Sequence, residues 1–140
     1  MQPFTHDDLL AFLNEMLEAE RAGAKALLHV SKEAKEQPVA SLAMAVHHDE
    51  ARWCAMLIAA IRRLDATPSQ ATGAFYEKVL AIPEERARLA FVNRGQGWVV
   101  KKLKEAILRI EDEQLAKDLG VMLSSHEENI AKVNASGLAG

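Results

Sequence analysis

The chain of 140 residues has one cysteine, few aromatic residues and no apolar run close to the length of a membrane span. A single cysteine excludes an internal disulfide, and Cys54 lies on the apolar face of a predicted helix, where a packed and unreactive thiol is expected. A membrane-spanning helix needs about 18 or more apolar residues, and residues 1–10 lack the cationic start and apolar segment of a signal peptide. We therefore expect a cytoplasmic protein with no membrane partner.

Several common functional motifs are also missing from the sequence. The formal net charge of −3 does not favour binding to nucleic acid or to an anionic membrane surface. The sequence contains no recognisable Ser-His-Asp or Cys-His arrangement, no phosphate-binding glycine loop and no CxxC pair. Hydrolase, nucleotide-binding and zinc-finger functions therefore lack support.

The residues that are abundant favour an all-α domain. Hydrophobic residues make up 49% of the chain, alanine and leucine are common, and no segment alternates for long between apolar and polar positions. Apolar residues recur every three or four positions in four segments, which predicts helices over about 5–31, 38–64, 83–110 and 115–133. Thr5 and Asp8 have the spacing of a capping box at the start of the first helix.

The links between these segments predict a four-helix bundle. Two links are short, so the first and second helices, and the third and fourth, should form antiparallel hairpins. The connection between the hairpins has about eighteen residues, which lets the third helix start at either end of the bundle, and residues 75–81 could form two helical turns within it. We expect one domain over residues 1–134 and a flexible tail over 135–140.

Each predicted apolar stripe is interrupted near its middle by polar residues, which are Glu20, then His47 with Glu50, then Gln96, and finally His126. A buried carboxylate costs several kcal/mol unless it is paired, so Glu50 needs a cation, a histidine, a metal or a proton. Carboxylates and imidazoles that converge inside a bundle are the ligands of di-iron and di-manganese sites. We therefore expect these side chains to form one cluster.

The sequence resembles the ferritin-like superfamily, with local patterns similar to those of bacterioferritin and rubrerythrin. The matching segments are 13–20, 49–53, 104–107 and 126–130. The resemblance implies a ferritin-like four-helix bundle, with Glu20 at the position of the first metal-ligating glutamate and Glu50 at that of the bridging glutamate of the second helix. It also implies that residues 126–130 correspond to the Glu-x-x-His segment of the fourth helix.

The di-iron ligands implied by this resemblance are incomplete. Trp53 replaces the histidine of the second helix, and Gln96 replaces the glutamate of the third. The register of the last helix is open, because either Glu127 is a ligand and Ile130 replaces the histidine, or His126 and Asn129 replace both members. Tryptophan cannot ligate a metal and a neutral amide is a poor bridging ligand, so we expect no di-iron centre of the usual kind.

Two functions remain open from the sequence. A reduced set of ligands could hold one divalent ion (Fe²⁺, Mn²⁺ or Zn²⁺), with candidates Glu20, His47, Glu50, His126 and Glu127 and the polar neighbours Trp53, Gln96 and Asn129. The alternative is an interaction or regulatory bundle in which the same residues form a metal-free hydrogen-bond network. In that case the chain would self-associate, as a dimer, through an apolar patch made by Phe75, Tyr76, Val79 and Leu80.

Two glycines in the third predicted helix add a further expectation. Glycine inside a helix costs about 1 kcal/mol relative to alanine, so Gly95 and Gly97 need a reason. Close packing beside the core stripe at Gly95 is the simpler one, and a local bulge that opens the polar cluster is the other.

Overall fold

The computed structural model describes residues 2–139, in which five α-helices and no strand are found. These helices are α1 (His6–Glu33), α2 (Gln37–Arg63), α3 (Phe75–Leu80), α4 (Glu85–Ile107) and α5 (Glu113–Ser136). The all-α prediction is confirmed, and the four long helices coincide with the four predicted segments. The short α3 occupies the connection between α2 and α4, where two helical turns were expected.

The helix ends follow from side chains that satisfy free backbone N–H groups. The Thr5 hydroxyl accepts a hydrogen bond of 3.0 Å from the backbone N–H of Asp8, which confirms the predicted cap of α1. The Asp112 carboxylate caps α5 in the same way, accepting from Leu115 at 3.0 Å. Glu84 caps α4 by accepting from the backbone N–H groups of two residues in its first turn.

Two apolar clusters fill the two ends of the core and show which way the helices run. One cluster joins the start of α1, the end of α2, the end of α4 and the start of α5. The other joins the end of α1, the start of α2, α3, the start of α4 and the end of α5. Therefore α1 and α2 are antiparallel, α4 and α5 are antiparallel, and α2 and α4 run the same way. The connection between α2 and α4 crosses the length of the molecule, which the sequence had left undecided.

Side chains of α1 hold this connection in place. Arg21 donates hydrogen bonds to the carbonyl oxygens of Ser69 and Ala71, at 3.0 and 2.6 Å. Asn14 accepts from the backbone N–H of Ser69 at 2.8 Å, and Glu18 accepts from the Ser69 hydroxyl at the same distance. These bonds hold residues 69–71 of the connection against residues 14–21 of α1.

The prediction of an exposed self-association patch in this connection is wrong. Val79 is fully buried in the second apolar cluster, while Phe75 and Tyr76 are partly buried against it. The Phe75 ring stacks on that of Phe91 with 5.0 Å between centroids. Leu80 is only partly exposed. Phe75, Tyr76 and Val79 face the core because α3 packs against both α1 and α4.

The C-terminal boundary differs from the one expected at residue 135. Helix α5 continues through Ser136 and ends at Gly137, whose φ of 71° is a left-handed conformation that glycine adopts without strain. Leu138 and Ala139 then pack against the second apolar cluster. Gly140, the last residue of the predicted tail, is outside the described residues. Within residues 2–139 no helix combines the length and apolar character needed to cross a membrane.

Candidate metal centre

A polar layer lies between the two apolar clusters. One side chain comes from the middle of each long helix: Glu20 from α1, Glu50 from α2, Gln96 from α4 and His126 from α5. All four are nearly inaccessible to solvent, with exposed fractions between 1% and 3%. The inward orientation predicted for these four residues from the apolar stripes is therefore confirmed.

Glu20, Glu50 and His126 come close enough to share one ion. One ligand atom from each lies within 4.8 Å of the other two. The Nε2 atom of His126 is 2.8 Å from Oε1 of Glu20 and 4.0 Å from Oε2 of Glu50. Ligand atoms that are each about 2.0–2.2 Å from an ion lie about 3–4 Å from one another. The measured separations are close to this range, so the group could hold a metal ion.

These three atoms lack hydrogen-bond partners in the described part of the chain. Oε1 of Glu20, Oε2 of Glu50 and Nε2 of His126 are all buried without a hydrogen bond of acceptable geometry, although the first and last are only 2.8 Å apart. The other ring nitrogen, Nδ1 of His126, lies 2.9 Å from the Met122 carbonyl oxygen. A carbonyl can only accept, so Nδ1 donates, and in the neutral ring Nε2 keeps a free lone pair directed at the two carboxyl groups.

Burial disfavours the charged forms of both carboxyl groups. Desolvation raises the pKa of Glu20 from 4.5 to about 7, and a hydrogen bond with Glu50 partly opposes that rise. Desolvation also raises the pKa of Glu50 well above its usual value, with smaller contributions from the Glu20 charge and hydrogen bond. Without an ion, one or both carboxyl groups therefore hold a proton near neutral pH. A divalent ion would replace these protons.

Gly23 makes room for Glu50, and sequence reasoning missed this residue. A Cβ atom at position 23 would lie 3.0 Å from Oε1 and 3.3 Å from the carboxyl carbon of Glu50. The available signal was a glycine inside a long helix, one turn after Glu20, where alanine would favour the helix by about 1 kcal/mol. The space that the Glu50 carboxyl group needs explains why glycine stands here in spite of its lower helix propensity.

Two predicted ligands lie outside the group, for reasons of helix geometry. His47 is only partly buried and its Nδ1 donates to the carbonyl oxygen of Ala24 at 2.7 Å. Glu127 follows His126 directly, and a rotation of about 100° per residue turns it outward. Its carboxylate is about half exposed and lies 3.5 Å from Nζ of Lys104. His126 and Asn129 face inward, as in the second of the two registers that the sequence left open.

The predicted polar neighbours are buried but have different surroundings. Trp53 packs in the first apolar cluster, and its indole N–H has no partner within residues 2–139. Asn129 donates to the Asp49 carboxylate at 3.0 Å. Oε1 of Gln96 is buried without a partner in the same range.

The pKa of the Cys54 thiol is raised to about 12, chiefly by burial and then by the charges of Glu20 and Glu50. This agrees with the unreactive thiol expected from the sequence.

Comparisons with known proteins give one match. No curated protein and no solved structure matches the chain. Residues 7–135 match the model of a family described as a domain of unknown function, DUF6306. This range includes all five helices except the ends of α1 and α5, and it contains the whole polar layer. The chain therefore belongs to the DUF6306 family.

Proposed function

We propose that this protein is a ferritin-like four-helix bundle that holds one divalent metal ion between Glu20, Glu50 and His126. The observation that carries the proposal is the set of three buried ligand atoms that face one another and lack hydrogen-bond partners within residues 2–139. Unpaired buried polar atoms are costly, and a cation would satisfy all three at once.

The chemistry of the three ligands fits an ion of charge 2+. Two carboxylates balance that charge, and the imidazole supplies a neutral nitrogen whose orientation is set by the bond to Met122. Oxygen and imidazole ligands of this kind suit Zn²⁺, Mn²⁺ and Fe²⁺. Three protein ligands leave at least one coordination position open, as in catalytic rather than structural sites.

The arrangement of the helices supports the ferritin-like part of the proposal. Two antiparallel hairpins are joined by a connection that crosses the length of the molecule, which is the topology of ferritin-like bundles. The polar layer at mid-height contains one residue from each long helix. Trp53, Gln96 and Asn129 occupy inward positions where the resemblance would require further ligands, so we propose one ion and not two.

A metal-free network is the competing function, and the raised pKa values of Glu20 and Glu50 favour it. Two protonated carboxyl groups can share a hydrogen bond and remain uncharged in the core. In that case the polar layer would only fix how the helices align, and the protein would act through partners or through self-association.

Thermal melting of wild-type protein and Glu50→Gln, with and without Zn²⁺, Mn²⁺ or Fe²⁺, separates the two functions. We expect an ion to raise the melting temperature of the wild type and to leave Glu50→Gln unchanged, because the variant loses a charged ligand. His47→Gln is the matched control and should respond like the wild type, since His47 lies outside the group. If no ion shifts any of these proteins and Glu50→Gln is as stable as wild type or more stable, only the metal-free network remains.

A further inference from the structure

A cleft of about 590 Å³ leads from the surface to the polar layer. It lies between α1, the start of α3 and α4, and its inner end is lined by Glu20, Glu50 and Gln96. His126 does not line it. An ion held between the three ligands would therefore have His126 behind it and the cleft in front. The open coordination position of such an ion would face the cleft.

The walls of the cleft are mostly apolar and include three aromatic side chains. Phe75 and Phe91 stack on each other beside it, and Trp98 is 43% exposed although it is one of the largest apolar side chains. Gly95 lets the Phe75 ring approach α4, because a Cβ atom there would lie 2.7 Å from that ring. A volume of several hundred Å³ with aromatic walls and a few polar atoms at one end is typical of a small-molecule site.

The mouth of the cleft carries two carboxylates and two cations, and among the described residues only the carboxylates have a polar side-chain partner. Glu15 lies 3.8 Å from Lys102, and Glu18 accepts a hydrogen bond from Ser69. The two cationic residues of the mouth, Lys78 and Arg94, have no carboxylate partner in the described part of the chain. An incoming anion therefore meets two unpaired cations before it reaches the inner end.

We propose that the cleft binds a small aromatic carboxylic acid whose carboxylate completes the coordination of the ion, an inference that rests on the proposed function. The aromatic body would lie against Phe75, Phe91 and Trp98. Gln96 is 3% exposed and its amide oxygen has no partner. Gln96 lines the inner end of the cleft, and its NH₂ group would donate to the second carboxylate oxygen of the ligand.

Cobalt-substituted protein tests this proposal, since Co²⁺ binds the same kinds of ligand and has visible absorption bands that respond to its coordination. We expect Co²⁺ to bind wild-type protein, and 4-phenylbutyrate to change these bands at a concentration about tenfold or more below that needed with acetate, because the phenyl group is buried. The absence of cobalt bands would overturn the proposed function and this inference together. Cobalt bands that ignore both acids, or that respond equally to both, would overturn this inference alone.

Three variants test whether 4-phenylbutyrate binds in the cleft. Trp98→Ala should keep the cobalt bands and weaken 4-phenylbutyrate about tenfold, because it removes an aromatic wall. Arg94→Gln should weaken the acid several-fold at low salt and less at high salt, as expected for an exposed charge. Arg62→Gln, which removes an exposed cation outside the cleft lining, is the matched control and should bind like the wild type. If all three variants bind 4-phenylbutyrate with equal affinity, the acid does not bind in the cleft.

Discussion

Glu20 is the residue whose titration most directly links the polar layer to stability. Its pKa is about 7 in the folded protein against 4.5 for an ordinary glutamate, so between these values the folded chain holds a proton that the unfolded chain has released. The stability of the metal-free protein should therefore fall as the pH rises from about 4.5 to 7. At about 1.4 kcal/mol per pKa unit, the Glu20 contribution is about 3 kcal/mol, and Glu50 acts in the same direction.

Melting temperatures at pH 5.5 and pH 8 measure this effect. We expect metal-free wild-type protein to melt lower at pH 8, and Glu20→Gln to lose much of the difference because it cannot release a proton. The stabilisation by an added ion should instead grow with pH, since the ligands must be deprotonated. A metal-free wild type that becomes more stable over this interval, relative to Glu20→Gln, would contradict the raised pKa.

Gly23→Ala tests the space reserved for Glu50. The added Cβ would lie 3.0 Å from Oε1 of Glu50, so the carboxyl group must move, and we expect ion binding to weaken about tenfold or more. Gly120→Ala is the control, because nothing lies within 4 Å of a Cβ there. The control should bind the ion normally and gain up to about 1 kcal/mol of stability from its helix propensity. Calorimetric titration with Zn²⁺ compares the two variants, and equal affinity would show that Glu50 does not need this space.

The helical period of the sequence predicts which single residues face inward, but not which of them contact one another. The stripe of each long helix identified Glu20, Glu50, Gln96 and His126 as inward-facing, which the structure confirms. The resemblance, by contrast, left open whether His126 or its neighbour Glu127 is the ligand, because it allowed two registers. Nor could the helical period show that the His47 ring, one turn from Glu50, bonds to a carbonyl of α1 instead.

At the level of helices, Gly95 and Gly97 have opposite roles although they are two positions apart in α4. Gly95→Ala would bring a Cβ within 2.7 Å of the Phe75 ring, so that ring must leave its packed position, and we expect a loss of about 1–3 kcal/mol in unfolding free energy. No atom lies within 4 Å of a Cβ at position 97, so Gly97→Ala should be neutral or gain up to about 1 kcal/mol.

Urea unfolding of both alanine variants measures these changes. The close-packing explanation predicted for Gly95 from the sequence agrees with this geometry, with a side chain of the connection rather than another long helix as the neighbour. A Gly95→Ala protein as stable as Gly97→Ala would show that Phe75 does not pack there.

The helices themselves were largely predictable, because caps and apolar periodicity are local properties of the sequence. Their ends differ from the prediction by a few residues, most clearly at α4, which ends at Ile107, and at α5, which reaches Ser136. The direction of the connection was not predictable, since about eighteen residues can either cross the bundle or return to its near end. Contacts with α1, such as those of Arg21 and Asn14 with Ser69, fix it, and they join residues about fifty positions apart.

For the whole molecule, the proposed single-ion site implies that the protein has no two-metal chemistry. If the proposed resemblance to ferritin-like bundles holds, buried Trp53 and Gln96 replace a histidine and a carboxylate of the di-iron site, and Asn129 donates a hydrogen bond to Asp49. Protein loaded anaerobically with Fe²⁺ should therefore show no rapid oxidation of two irons per chain when air is admitted. A fast burst with that stoichiometry, followed by absorbance in a stopped-flow instrument, would contradict the proposed single site.

The central claim is that the buried group of Glu20, Glu50 and His126 binds one divalent ion. Its most direct test is the number of ions bound per chain, measured by elemental analysis after protein purified without an affinity tag is stripped with a chelator and dialysed against Zn²⁺ or Mn²⁺. We predict one ion per chain for wild type and His47→Gln, and none for His126→Gln or Glu50→Gln. Zero or two ions in the wild type, or one ion retained by both ligand variants, would contradict the claim.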